Sequence, residues 1–410
     1  MTTSPSAPAA AQERDALGRN RHSHGQTGSA PVQTRSERPR SFDPADFAGA
    51  TGREAEWRYA PLERLRPLMA DEPGDGSLQH RVTAPEGVLR EPLAAGEAPR
   101  GRAFAPEDLP SAVAWKHGER ALFLSIPAGR ELQEPVRVHI SGAAGAGRDL
   151  AHIVVRAEPN SRATVILQHE GPARYLQNVE ILVEEGARLQ LVAVHEWDEE
   201  AVHLGAHQAN VGRDAFLKHV VVSLGGAVVR VNPSIRLDAR GADAEAYGLY
   251  FSDAGQHLEH QVYIDHAAAD TRSRVNYKGA LQGASARSVW IGDVLIRPEA
   301  EGTDSYEQNR NLVLSDGARA DSVPNLEIET GQIEGAGHAS ATGRFDDEQL
   351  FYLMARGISE GEARRLVVHG FLNEIVQEIP EPALREHLQE RLGEELERST
   401  SRLLQAGAGG

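Results

Sequence analysis

Seventeen histidines and no cysteine set the chemistry open to this chain. Without a thiol there is no disulfide, no zinc ribbon, no thiol nucleophile and no thiolate-held cluster within the chain itself. Any metal it holds alone must use imidazole and carboxylate. The histidine in the oddest setting is His338, in EGAGHASATGRFDDEQL, where glycine, alanine and serine otherwise exclude bulk. An imidazole there is either a chemical group on an open platform or a residue that caps a corner or the following helix.

The other histidines invite a metal reading less. His257, His260 and His266 are close in GQHLEHQVYIDH, but a cupin-type site needs a His-x-His pair on one strand with a nearby Glu. Residues three apart on a strand point to opposite faces, so these three read as satisfied polar positions, as do His203 and His207. The carboxylates of VHEWDEE read as a solvated edge, and His22 and His24 as part of a solvated tail. Phosphate-binding glycine loops, dinucleotide fingerprints and nucleophile elbows are missing from the sequence. A formal charge of −17 repels a phosphate backbone, so nucleic acid is not the expected partner. With no run long enough to span a bilayer and no signal-peptide pattern, the expectation is a cytoplasmic protein that does not engage a membrane.

The elements that must position these groups fall into four stretches. Residues 1–40, rich in Ser, Ala, Pro and Arg, predict a disordered tail. Residues 41–112 predict a small helical and irregular cap held by Trp57, Tyr59, Leu62 and Leu65. Residues 113–342 change character: short Val-, Ile- and Leu-rich runs such as ALFLSIP, ATVILQH and LQLVAVHEW alternate as strands do. Small turns separate them, and Asn160, Gly186, Gly212 and Gly241 recur at intervals of about 26 to 29 residues. Helical crossovers are missing, which disfavours a βαβ sheet. Two short strands per period, joined at small-residue corners, stack into the rungs of a coiled parallel β-structure. About eight rungs at roughly 4.8 Å each make a rod near 40 Å long.

Residues 343–410 turn helical. Asp346 is a candidate N-cap, Leu350, Phe351, Leu353 and Met354 form an apolar face, and Gly357 supplies the stop. Ser359 and Glu362 have capping-box spacing ahead of a helix running to Pro380. A third helix carries Leu384, Leu388, Leu392 and Leu396 every four residues. Such faces look alike whether they bury within the chain or against another protein.

The stretches SRVNYKGAL, DSVPNLEIE, GHASATGRFDDEQLFYLMARGIS and RRLVVHGFLNEI resemble the SufB/SufD family of iron–sulfur cluster assembly proteins. The likeness is clear over about residues 245–380. It implies a mainly β fold, a right-handed parallel β-helix with a small N-terminal helical cap and a C-terminal α-helical domain. It also implies a non-enzymatic subunit of a SufBCD complex, paired with a SufB scaffold and docked through its C-terminal helices to a SufC ABC-type ATPase. Self-association when that scaffold is absent is the other option. Where SufB carries a cysteine this chain has Asn309, and where SufB has a Glu after the family histidine it has Ala339. The resemblance is therefore to SufD, with His338 as the implied iron or cluster-assembly ligand at the subunit interface. Ala336 stands where many relatives have a further cysteine. No cofactor is expected on the isolated chain, and a transient cluster or iron is expected in the complex. The alternatives from other classes are a β-helix carbohydrate-active enzyme and a cupin-like metalloprotein.

Overall fold

The computed structural model describes residues 35–76, 78–143, 145, 147–344 and 347–408. Its centre is a parallel β-solenoid of about eight turns. Two strands per turn, from β3 (Arg120–Ile126) to β18 (Gly335–Arg344), alternate between two nine-stranded sheets. Even-numbered strands stack in one sheet and odd-numbered strands in the other, each paired in parallel with the strand one turn away. Two short antiparallel strands, β1 (Gln79–Thr83) on β4 (Val136–Ser141) and β2 (Leu89–Ala94) on β3, finish the N-terminal end.

Inward-facing residues of both sheets, among them Val165, Leu191, Leu217, Val231 and Ile264, make one continuous core. The outer faces are covered as well, which is why several strands read as unbroken apolar runs. On the odd sheet lie Trp57, Leu65, Leu68 and Met69 with α2 (Leu109–His117). On the even sheet, Val192, Val220, Val222 and Leu249 meet the C-terminal helices. These are α3 (Asp347–Met354), α4 (Glu360–Val376) and α5 (Pro382–Ala408), the short α1 being Leu62–Leu65.

The expected corner column is present, with one substitution. Positive φ recurs at Asn160, Gly186, Asp214, Gly241, Asp270 and Gly302, so at the third rung the residue is Asp214 rather than Gly212. Asx and glycine alternate for a packing reason. A Cβ on Gly186 would stand 2.3 Å from Asn160 Oδ1, and one on Gly241 2.1 Å from Asp214 Oδ1. Each Asx side chain thus occupies the space that the next glycine leaves. Corner amides also donate up the rod, Asn160 N to Glu185 O at 2.9 Å and Gly186 N to Arg213 O at 2.9 Å.

Three other readings change. Arg35–Arg40, assigned to the tail, packs on the rod: Arg35 donates to Gln261 O and pairs with Glu107, and Arg38 pairs with Glu56. The remainder of that tail, with His22 and His24, lies outside the described residues, as does the Asp346 cap. The cap 41–112 contributes two strands, and α2 runs across its predicted boundary. Glu196 of VHEWDEE is not a solvated edge, because α5 covers it with His387 and Arg391 at 3.0 and 3.1 Å. Ser359 does cap α4, accepting from Glu362 N, and Gly357 has φ 86°. Among the described residues no helix is long and apolar enough to cross a membrane.

The corner column gives a direct test. Gly255 has φ 76° but open space around its Cβ position, whereas Gly186, with φ 66°, is filled by Asn160. Gly255→Ala should cost about 1–2 kcal/mol from the backbone alone, and Gly186→Ala more. Urea unfolding of both variants checks it; equal losses would mean that the corners do not interlock.

Candidate functional site

His338 lies on β18, the last strand of the even sheet, and pairs in register with Glu307 of β16 (Asp304–Val313). Strand alternation puts Glu307, Asn309 and Asn311 of β16 on the buried, lumen-facing side. The next turn would cover His338 if the coil continued. It does not, so the ring is half exposed at the mouth of the rod. Its Nδ1 stands 3.8 Å from Glu307 Oε1, too far for a hydrogen bond. Beside it opens a groove of about 450 Å³ lined by Arg35, Tyr263, Asp293, Asn325, Glu327 and His338.

Glu307 is the residue that sequence reasoning missed. Its side chain is 1 % exposed, yet among the described residues neither carboxylate oxygen has a hydrogen-bond partner. Gly292 makes room for it: a Cβ there would sit 2.5 Å from Glu307 Oε2. Burial, with the Asp293 charge adding to it, pushes the Glu307 carboxyl up to about 8. The group is therefore a protonated acid at neutral pH, one strand from an imidazole. Asp293 is also raised by burial, against Arg38 and Arg35, and accepts from Asn325 at 2.8 Å.

Asn309 is fully committed to packing. Its amide donates to Tyr250 Oη at 2.9 Å and to Tyr277 O at 3.1 Å, while Asn311 donates to its Oδ1. Ala336 and Ala339 flank His338 on β18 without adding a polar group, and Gly337 lies against Tyr306.

The histidines discounted from spacing are all buried. His257 meets Glu259 at 2.9 Å, His260 meets Ser223 at 3.1 Å, and His266 meets Thr271 and Ser273. His207 and His219 meet each other at 3.0 Å. Burial holds His219 and His266 down to about 4 and His260 to about 3, so they are neutral fillers of the lumen. His169, His195 and His203 do bring three ring nitrogens within 4.8 Å of one another. Their geometry opposes ligation. The rings of His169 and His195 stack at 4.6 Å and 17°, so their in-plane lone pairs do not converge. His203 Nδ1 accepts from Trp197 Nε1 at 3.1 Å, and both ring nitrogens of His169 are already engaged, with Val194 O at 2.9 Å and Gln177 Oε1 at 3.1 Å. The cluster is sealed and structural.

The rod mouth also differs from the other end in its backbone. Among the described residues, β17 (Arg319–Ile328) and β18 are full ten-residue strands, each paired on one side only, and β17 carries Arg319, Asp321, Pro324 and Glu327. The opposite edges, β1 and β2, are short and carry Arg81, Arg90, Glu91 and Pro92, features that discourage strand addition. β18 has no acidic residue and no proline, and its one strong charge is the terminal Arg344.

Glu307→Gln tests the buried acid. Unfolded, the carboxyl ionises near its ordinary 4.5; folded, it keeps its proton to about 8. Its contribution to stability is thus complete below 4.5 and is lost as pH rises through 8, falling by about 1.4 kcal/mol for each pH unit between those values. Glutamine cannot ionise, so between pH 5 and about pH 8 Glu307→Gln should gain steadily on the parent in urea unfolding, and the gain should level off above that. Parallel pH profiles would show that Glu307 is not a buried neutral acid.

Comparison with known proteins agrees with this architecture. Residues 139–371 match the family described as SUF system FeS cluster assembly, SufBD core domain. An iron-sulfur cluster assembly SufBD family protein of Mycobacterium tuberculosis is 48% identical over 364 residues, covering 87% of this chain and 92% of the relative. One from Mycobacterium leprae is 46% identical over 369 residues, covering 88% and 94%. A second SufBD family protein of Mycobacterium leprae is 28% identical over 202 residues, 49% of this chain and 23% of that protein. This chain belongs to the SufBD family of iron–sulfur cluster assembly proteins.

Proposed function

We propose that the chain is the SufD-like, non-enzymatic member of a cytoplasmic assembly complex, pairing at its rod mouth with a cysteine-bearing SufB-like scaffold. The observation that carries this reading is that the open β18 edge and a half-exposed imidazole meet at one end of a chain that has no thiol. Iron–sulfur clusters are held mainly by thiolates, so this chain offers nitrogen and oxygen donors to a cluster whose sulfur ligands come from elsewhere. The cluster is cargo, and the isolated chain keeps none. The two Mycobacterium leprae relatives, one similar over most of the chain and one distant, support a role as one of a pair of related proteins in one organism.

The C-terminal helices supply the second contact. α4 and α5 are fixed to the rod by buried Val368, Leu372, Ile375, Leu388 and Leu392. The pairs Lys218–Glu378 and Lys278–Glu374 add to that anchorage. Phe351, Tyr352, Met354 and Leu366 remain exposed, Phe351 at 73%. That apolar group suits a SufC-like ABC ATPase, because a patch of this kind beside firmly anchored helices marks a protein contact. Closure of an ATPase pair would then move the helices together with the even sheet they cover, and so the strand that bears His338.

The test is co-expression of all three subunits with His338→Ala in this one. The complex should assemble at the normal ratio, while bound iron and acid-labile sulfide fall at least tenfold. Unchanged iron and sulfide in an intact complex would remove His338 from the work of the site.

A further inference from the structure

We propose that Glu307 is a metal ligand, holding with His338 one divalent first-row cation of the ferrous type on this chain before a partner's thiolate completes the site. The inference rests on reading the rod mouth as the assembly site, and it deepens that reading by naming the second donor.

Distance is the first argument. Two donors on one cation, with bonds of about 2.0–2.2 Å, lie at most about 4.4 Å apart. The separation of 3.8 Å between His338 Nδ1 and Glu307 Oε1 is inside that limit and outside hydrogen-bond range. The second argument is the state of the carboxyl. A buried acid almost always finds donors, yet neither Glu307 oxygen has one among the described residues. The nearby guanidinium groups are engaged elsewhere, Arg35 with Glu107 and Gln261, and Arg38 with Glu56 and Gln261. The third is preorganisation. Gly292 and the Trp290 ring shape the pit around Glu307, and the β16–β18 ladder sets it in register with His338. A rigid backbone ladder holds both donors while the groove leaves the remaining coordination positions open. One imidazole nitrogen and one carboxylate oxygen suit Fe²⁺, Co²⁺, Mn²⁺ or Zn²⁺ better than a soft monovalent ion.

The experiment uses the purified full-length chain, titrated anaerobically with Co²⁺ and read by its visible d–d bands and by competition with a chromophoric chelator. The parent should bind one Co²⁺ per chain at this site. Glu307→Gln and His338→Ala should each weaken it at least tenfold, Glu307→Asp should retain part of it, and Ser340→Ala should leave it unchanged. Near-ultraviolet circular dichroism establishes that each variant is folded. If Glu307→Gln binds as tightly as the parent, or the parent binds no more than the Glu307→Gln/His338→Ala double variant, the inference is wrong. Its failure is separable from that of the proposed function. Iron and sulfide lost on His338→Ala in the complex, beside unaltered Co²⁺ binding by Glu307→Gln, would remove only Glu307.

Discussion

A parallel β-coil satisfies its backbone one turn at a time, because each strand's amides and carbonyls find partners only in the turns above and below. The interior turns meet this constraint from Val136 to Val313, and the corner amides follow the same rule. The last turn cannot. Among the described residues β17 and β18 each leave one side unpaired, and the ten-residue edge of β18, free of proline and acids, is a template for another chain. At the N-terminal end the same problem is met differently, with two short antiparallel strands carrying arginines, a glutamate and a proline. One end is blunted on both strands; at the other, β17 carries Arg319, Asp321, Pro324 and Glu327, and β18 is the strand left ready.

The chemistry sits where the coil stops. Farther down the lumen, imidazoles are enclosed, neutral and partnered by hydroxyls, backbone carbonyls or one another. They fill space between the sheets much as apolar residues do, at the cost of needing a hydrogen bond each. At the mouth the same inward-facing position, now His338, loses its cover and becomes a surface group. Glu307, one turn below, is still enclosed. An acid kept in its protonated form beside an accessible imidazole can release a proton when a cation arrives, which couples metal entry to proton exit. The fold makes this pairing by ending, with no special loop.

Much of the scaffold was legible in the sequence. Two-residue alternation and a near-constant period required strands and corners, and these are set by local sterics. Ser359 and Gly357 marked helix ends through side-chain capping and positive φ, again local effects. Features that depend on distant partners were not legible. Glu196 reads as part of an acidic surface run until α5, almost two hundred residues later, lays His387 and Arg391 over it. Arg35 and Arg38 have tail composition but fasten to Glu107, Gln261 and Glu56. The exchange of Gly212 for Asp214 at the corner follows from interlocking between turns. Glu307 belongs with them. It pairs with His338 across a last turn longer than those between Asn160 and Gly241, so laying the sequence period of about 26 to 29 residues back from the histidine falls at or beyond Asn309 and misses it.

Hydrogen exchange on residues 319–344 reads the central claim, an incomplete last turn that another chain finishes, without reference to metal or cluster. In the monomeric chain the β18 amides should exchange far faster than those of β12 (Asp243–Ser252) and β14 (Arg272–Leu281) in the same sheet. Adding the cysteine-bearing scaffold should slow them to the rate of those interior strands. A β18 that is already as protected as β14 in the monomer, or that stays fast in the assembled complex, would contradict the account.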